Sequence, residues 1–153
     1  MKDRLYFDFV NDLFNSAIAK NRGINNTTSN PLVLTRLMQL TYYVLNPFRT
    51  WLGKPVIVES GYRCKDLNII LGGSDSGHPE GYCADIVVKG MTQEQLFLKV
   101  VECFRAGIIE IDQLIWEQDS NCVHIGYRHN NNRHQIMVRK KVNDKFVYSN
   151  YKF

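Results

Sequence analysis

Three residues of the kinds that hold metal ions stand in the middle of this 153-residue chain: His78, Asp85 and His124. Imidazole nitrogen and carboxylate oxygen both suit zinc. Three protein ligands leave a fourth position open for water, which is the arrangement of hydrolytic zinc sites. Whether the three meet depends on the elements that carry them. His78 lies within Gly72 to Gly81, a stretch with four glycines, two serines and a proline that must be a loop. That loop feeds a predicted strand over 82–88 bearing Asp85, so it can fold its histidine back over the carboxylate. His124 sits on a predicted strand over 122–127 and completes the set if the two strands are neighbours. Four histidines are ordinary in a chain this long. Spacing alone therefore leaves open both a metal site and histidines that are merely exposed or hydrogen-bonded.

The elements around these positions read as helices first and strands later. Over 5–20, Leu5, Phe9, Leu13 and Ala17 with Phe7, Val10, Phe14 and Ile18 recur at spacings of three and four, which predicts one helix with a wide apolar stripe. The polar residues 21–30 end in Asn30-Pro31, the order of an N-cap followed by proline at the first helical position. The second helix starts there, with Leu34, Leu37, Met38, Tyr42 and Leu45 as its apolar residues, Pro47 to kink or restart it, and Gly53 to end it. Val56-Ile57-Val58 reads as a buried strand and 65–71 as a short helix. Residues 92–104 form a helix opened by a Thr92/Gln95 capping box. Further strands are predicted over 112–117, 135–140 and 145–148, the last two joined by a tight Asn143-Asp144 turn. The expected fold is α+β: N-terminal helices packed on a mostly antiparallel sheet with one inserted helix, forming a single domain over 1–153 without repeats or linkers.

Composition narrows the function classes. With 44% hydrophobic and 22% charged residues, the chain has the makeup of one globular domain that needs no disulfides to hold a core. Cysteines at 64, 83, 103 and 122 form no C-x-x-C pair, which excludes a zinc knuckle and a small disulfide framework. Asp8 and Asp12 interrupt the apolar region a secretion signal would need, and no run of eighteen apolar residues occurs, so a cytoplasmic product without a membrane span is expected. The last 26 residues carry Arg128, Arg133, Arg139, Lys140, Lys141, Lys145 and Lys152 against Asp144 alone, a net +6. Such a tail suits an anionic polymer such as nucleic acid. The better reading is a solvated strand face with its edge guarded by charge.

The stretch Ser60-Gly61-Tyr62-Arg63, then Leu67-Asn68, Gly72-Gly73-Ser74, Ser76-Gly77-His78, Gly81 and Ala84-Asp85-Ile86 resembles one family. It is similar to the zinc D-Ala-D-Ala carboxypeptidases of the VanY and VanX type and their phage endolysin relatives. Ser76, His78, Gly81 and Asp85 match the signature S-x-H-x-x-G-x-A-x-D, and Val123-His124-Ile125 matches the downstream strand with the third ligand. The segments Asn46-Pro47-Phe48-Arg49 and Gly53 through Val58 also look like the helix and strand preceding the family's S-G-Y-R, so the resemblance spans roughly 30–127. It implies zinc on His78, Asp85 and His124. It also implies that Arg63 binds an anionic peptide terminus or a carbonyl oxygen gaining charge, and that Ser76 gives a hydrogen bond to substrate or to a metal ligand. The competing reading of Arg63 is an ion pair with Asp66 or Glu59. Tyr62 is expected to pack, and His129 and His134 to stand exposed on a polar turn.

This sequence departs from the family pattern in two ways. Cys83 replaces the signature alanine, and Cys122 stands two before the last ligand. Strand alternation puts Cys83 on the face of Asp85 and Cys122 on the face of His124. Each is open to three readings: a soft ligand, half of a disulfide, or a small residue packed beneath the site. The second departure concerns the base that takes the proton from water. Some members carry an acid three residues before the final histidine, where this chain has Asn121. Shorter relatives carry one in a Q-L-I-x-E context, which matches Gln113-Leu114-Ile115-Trp116-Glu117. The resemblance thus points to Glu117, desolvated beside Trp116 with a raised pKa, rather than a solvent-exposed strand end; Asp119 is the reserve.

The resulting reading is a zinc-dependent peptidase acting on peptidoglycan stem peptides. It would reach the wall through another protein's membrane lesion or on a virion. The alternative is a metal-binding structural or wall-binding domain with little or no turnover, for instance a virion component among other virion proteins.

Overall fold

The computed structural model describes residues 5–73 and 76–153. Ser74 of the family resemblance and residues 1–4 of the expected domain lie outside the described residues. The single helix expected over 5–20 is two short pieces, a π-turn at Phe9–Leu13 and α1 at Ala17–Asn21. The cause of the break is local. Asp8 accepts the N–H of Asn11 and Ser16 accepts that of Ala19, so each side chain starts a piece of its own. The Leu13 carbonyl is taken by the N–H of Tyr62. The predicted stripe splits accordingly: Phe7 and Leu13 are buried, while Leu5 and Val10 are 70% and 75% exposed.

Helix α2, Pro31–Leu40, begins as expected, with Asn30 accepting the N–H of Leu32 and Pro31 in the first turn. It continues through a π-turn at Thr41–Leu45 into α3, Asn46–Leu52. Pro47 has no N–H to offer, and the Thr41 hydroxyl donates back to the Leu37 carbonyl, so the helical path widens before the proline instead of breaking. Gly53, at φ 68°, closes α3 in the left-handed conformation. The buried residues are Leu37, Leu40, Val44, Leu45 and Phe48, whereas the expected Met38 and Tyr42 are more than half exposed.

The strands are β1 Ile57–Ser60, β2 Cys83–Val87, β3 Gln113–Glu117, β4 Val123–Gly126, β5 Gln135–Val142 and β6 Lys145–Asn150. Helix α4, Lys65–Ile70, lies between β1 and β2, and α5, Gln93–Arg105, lies between β2 and β3 with both halves of its capping box formed. The sheet order is β1-β2-β4-β3-β5-β6, and every neighbouring pair is antiparallel except β3 with β5. The fold is therefore α+β with a mostly antiparallel sheet. Strand β1, expected to be buried, is an edge: Val58 faces inward and Ile57 is exposed. Asn143 and Asp144 turn the last hairpin with φ of 48° and 60°, as a two-residue type I′ connection requires.

Alternation gives the sheet two different faces. Val58, Ala84, Ile86, Leu114, Val123 and Ile125 enter a core shared with the helices, and α5 packs on β3 and β4. Cys83, Asp85, His124 and Glu117 belong to the opposite face. The basic C-terminal segment is partly neutralised within the fold, since Arg128 and Arg133 grip the buried Asp112 and Arg139 pairs with Glu117 and Asp119. Lys140, Lys141 and Lys145 remain on an exposed edge hairpin. His129 and His134 are exposed; His134 pairs with Glu110. Among the described residues no helix is long and apolar enough to cross a membrane.

Candidate active site

Backbone approaches that only glycine permits bring His78 into place. A Cβ on Gly61 would lie 2.5 Å from the Leu13 carbonyl oxygen, so the chain after β1 can pass this close only without a side chain. The Gly61 carbonyl then stands 2.6 Å from Nδ1 of the buried His78. A carbonyl can only accept, so the proton is on Nδ1 and the Nε2 lone pair faces the site, free to bind a metal. The loop turns back through hydrogen bonds from the N–H of Gly81 to the His78 carbonyl and from the N–H of Tyr82 to the Gly77 carbonyl. Gly81 has φ 79° and passes against α2, where a Cβ would come 2.7 Å from the Val33 oxygen. Ser76 Oγ accepts the His78 N–H at 3.1 Å, so the structure places this hydroxyl on the backbone of the histidine. Asn26, in the polar stretch 21–30, fastens the same region: its Nδ2 donates to the Phe14 and Tyr62 carbonyls, and its Oδ1 accepts the N–H of Cys64.

Strand pairing supplies the other two residues, because Asp85 of β2 stands directly opposite His124 of β4. Asp85 Oδ1 lies 3.0 Å from His124 Nδ1 and 3.3 Å from His78 Nε2. Donors about 2.0–2.1 Å from a tetrahedral zinc ion are about 3.3 Å apart, so the spacing and the donor types fit that ion. The second carboxylate oxygen, Oδ2, is held at 2.6 Å by Arg63 Nη2, and Arg63 Nε donates to Ser60 Oγ at 2.8 Å. Arg63 is thus paired with Asp85 and with neither Asp66 nor Glu59. His78, Cys83 and His124 each bring a donor atom within 4.8 Å of the others, and so do Asp85, Glu117 and His124.

The electrostatics follow from burying these groups together. Burial alone would lower His78, but the Cys83 thiolate and the Asp85 carboxylate raise it to about 9. His124 is likewise raised well above its usual value against its burial, first by Cys83 and then by Asp85. Burial would raise Cys83, yet the two imidazoles bring it down to about 6, and Asp85 is held well below the usual carboxylate range by the same pair.

Glu117 arrives at this cluster from the end of β3. It is buried, contrary to an exposed strand end, and burial followed by the charge of Asp85 pushes its pKa up against the pull of His124 and Arg139. Its Oε1 is 2.9 Å from Arg139 Nη1, and Ser120 Oγ donates to Oε2 at 3.3 Å. Trp116 is not what desolvates it, since alternation sends the indole to the other face, where Nε1 donates to Gln93 Oε1. Gln93, at the start of α5, also donates to the carbonyls of Glu117 and Cys122 and ties down the β3–β4 connection. Asp119 is gripped by Arg139 through two parallel hydrogen bonds of 2.8 and 2.7 Å.

The two cysteines separate. Cys83 is buried beside the imidazoles, whereas Cys122 is half-buried at the rim, its thiol donating to Asn121 Oδ1 at 3.3 Å. Burial and then the charges of Asp85, Glu59 and Glu117 push the Cys122 thiol up to about 12. Cys83 opposes Gly126 across the strands, and Cys122 lies four positions further along β4, a distance of about 13 Å that no disulfide spans. All four cysteines are free thiols.

Sequence reasoning missed Asn26, Gln93 and Arg139. Each is a polar side chain whose partners are distant in sequence, and no local pattern marks it. A family model described as peptidase M15 matches residues 9–118, which take in His78, Asp85 and Glu117. No curated protein sequence matches the chain.

Proposed function

The chain belongs to the peptidase M15 family, whose members are zinc enzymes, and from that premise we propose that it hydrolyses peptide bonds in the stem peptides of bacterial peptidoglycan, as a D-Ala-D-Ala carboxypeptidase or an enzyme of endolysin type. The observation that carries this reading is the convergence of His78 and His124 on Asp85 Oδ1, with the buried Glu117 beside them. His78, Asp85 and His124 would hold zinc. The ion, when bound, polarises a carbonyl and acidifies water.

The protein's own groups do the rest. Glu117 accepts the proton of the attacking water and returns it to the leaving amine, and the upward shift of its pKa by burial and by the charge of Asp85 makes it the stronger proton acceptor. Arg139 and Ser120 fix the direction of its carboxylate. Arg63 places two of its five N–H groups on Ser60 and Asp85. The Nη1 side remains for a substrate carboxylate or for the carbonyl oxygen as it gains charge. Ser76 orients His78 through the backbone.

The test is digestion of purified peptidoglycan by the zinc-loaded chain, followed by mass spectrometry of the products. New peptide termini at one defined bond support the proposal and identify the bond. A second reading, a metal-binding domain that docks on the wall with little or no turnover, is favoured by the thiol of Cys83 among the imidazoles. Sedimentation with peptidoglycan without release of termini would establish it instead.

A further inference from the structure

Cys83 is the nucleophilic group that the mechanism above leaves unused, and its surroundings are specific. It lies on the face of Asp85, two residues before it, and is 2% exposed. It stands opposite Gly126, and Gly77 of the histidine loop passes over it so closely that a Cβ there would be 3.2 Å from its sulfur. Two glycines thus leave a niche that the thiol occupies, and on its open side the sulfur has one nitrogen of His78 and one of His124 within 4.8 Å. A thiolate and an imidazole bound to one zinc ion are about 3.6 Å apart, from bond lengths of about 2.3 and 2.0–2.1 Å. Sulfur is also the softest donor in the cluster, and zinc and cobalt accept it readily.

We propose that Cys83 is a metal ligand, a thiolate that joins His78 and His124 on the ion. The inference rests on the metal site proposed above and goes beyond it. Binding the metal through Cys83 would release the thiol proton to solvent.

The test is absorption spectroscopy of the full chain titrated with cobalt(II). The expected result is one cobalt per chain with an intense near-ultraviolet thiolate-to-cobalt charge-transfer band. Cys83→Ala should lose the band while still binding one cobalt. A Cys64→Ser/Cys122→Ser variant, altered only at half-buried positions, should keep it, which preserves the test if Cys83→Ala does not fold. Cobalt bound without the band overturns the role of Cys83 and leaves the histidine and aspartate site standing. No cobalt bound at all overturns both.

Discussion

Replacing Glu117 by glutamine should separate chemistry from folding. The amide keeps the shape of the side chain, and its oxygen still accepts from Arg139 or Ser120 in place of the carboxylate. Arg139 retains its two bonds to Asp119, so no buried cation is orphaned. What disappears is the negative charge. Loss of a general base removes about 10²- to 10⁴-fold in rate, or about 2.7–5.4 kcal/mol of transition-state stabilisation. The effect on folding has the opposite sign. The folded-state pKa of Glu117 is raised above 4.5 by burial and by Asp85, so its ionised form costs the native state stability as pH rises through and above that ordinary value. At neutral pH the metal-free Glu117→Gln chain should unfold at the same temperature as wild type or higher, and this difference should vanish in acid below the ordinary value. The assay pairs the rate of terminus release from peptidoglycan with thermal unfolding at several pH values. Full activity in Glu117→Gln would refute the assignment of the base, and a lowered unfolding temperature would refute the electrostatic argument.

Other perturbations test the scaffold. Asp112→Asn should cost about 2–3 kcal/mol at neutral pH in denaturant titration, somewhat under the range for breaking a fully buried pair because Arg128 and Arg133 are partly exposed. Despite burial, the bonds of Asp112 to Arg133 hold its pKa below 3.8, so its contribution is complete above that value and is lost as pH falls through the lower native one. Asp112→Asn should accordingly flatten the acid limb of the stability profile. Gly61→Ala forces a Cβ to 2.5 Å from a backbone oxygen that has no flexible end to yield. It should cost about 1–3 kcal/mol and, by displacing the carbonyl that orients His78, weaken zinc binding about 10- to 100-fold in a competition titration. Asn26→Ala removes three hydrogen bonds around the Tyr62–Cys64 segment and should lower stability by about 2–3 kcal/mol, read from the urea midpoint.

Much of this architecture was legible where a local rule decides it. Asn30-Pro31, Thr92 with Gln95, Gly53 and Asn143-Asp144 fix chain direction through their own hydrogen bonds or dihedrals, and all four behave as read. The shared face of Cys83 and Asp85 follows from strand period alone. Reading failed where a tertiary contact outweighs periodicity. The stripe over 5–20 looked continuous, but Asp8 and Ser16 cap separate pieces and Leu13 gives its carbonyl to Tyr62. The second helix carries two overlapping apolar stripes, and only burial in the shared core selects Leu40 and Val44 over Met38 and Tyr42. Candidate ligands were visible because metal chemistry restricts their types. Their partners were not: Arg63 on Asp85 and Arg139 on Glu117 join residues 22 positions apart in each case, through contacts between residues that many other acids or bases could have supplied.

The central claim is that His78, Asp85 and His124 form a zinc centre, and the most direct test is anomalous diffraction at the zinc edge from crystals of the zinc-loaded chain. The account predicts one peak per chain, about 2.0–2.2 Å from a nitrogen of each of the two histidines and from a carboxylate oxygen of Asp85. A peak without Asp85 and both histidines around it, or no peak at fully loaded stoichiometry, would contradict it.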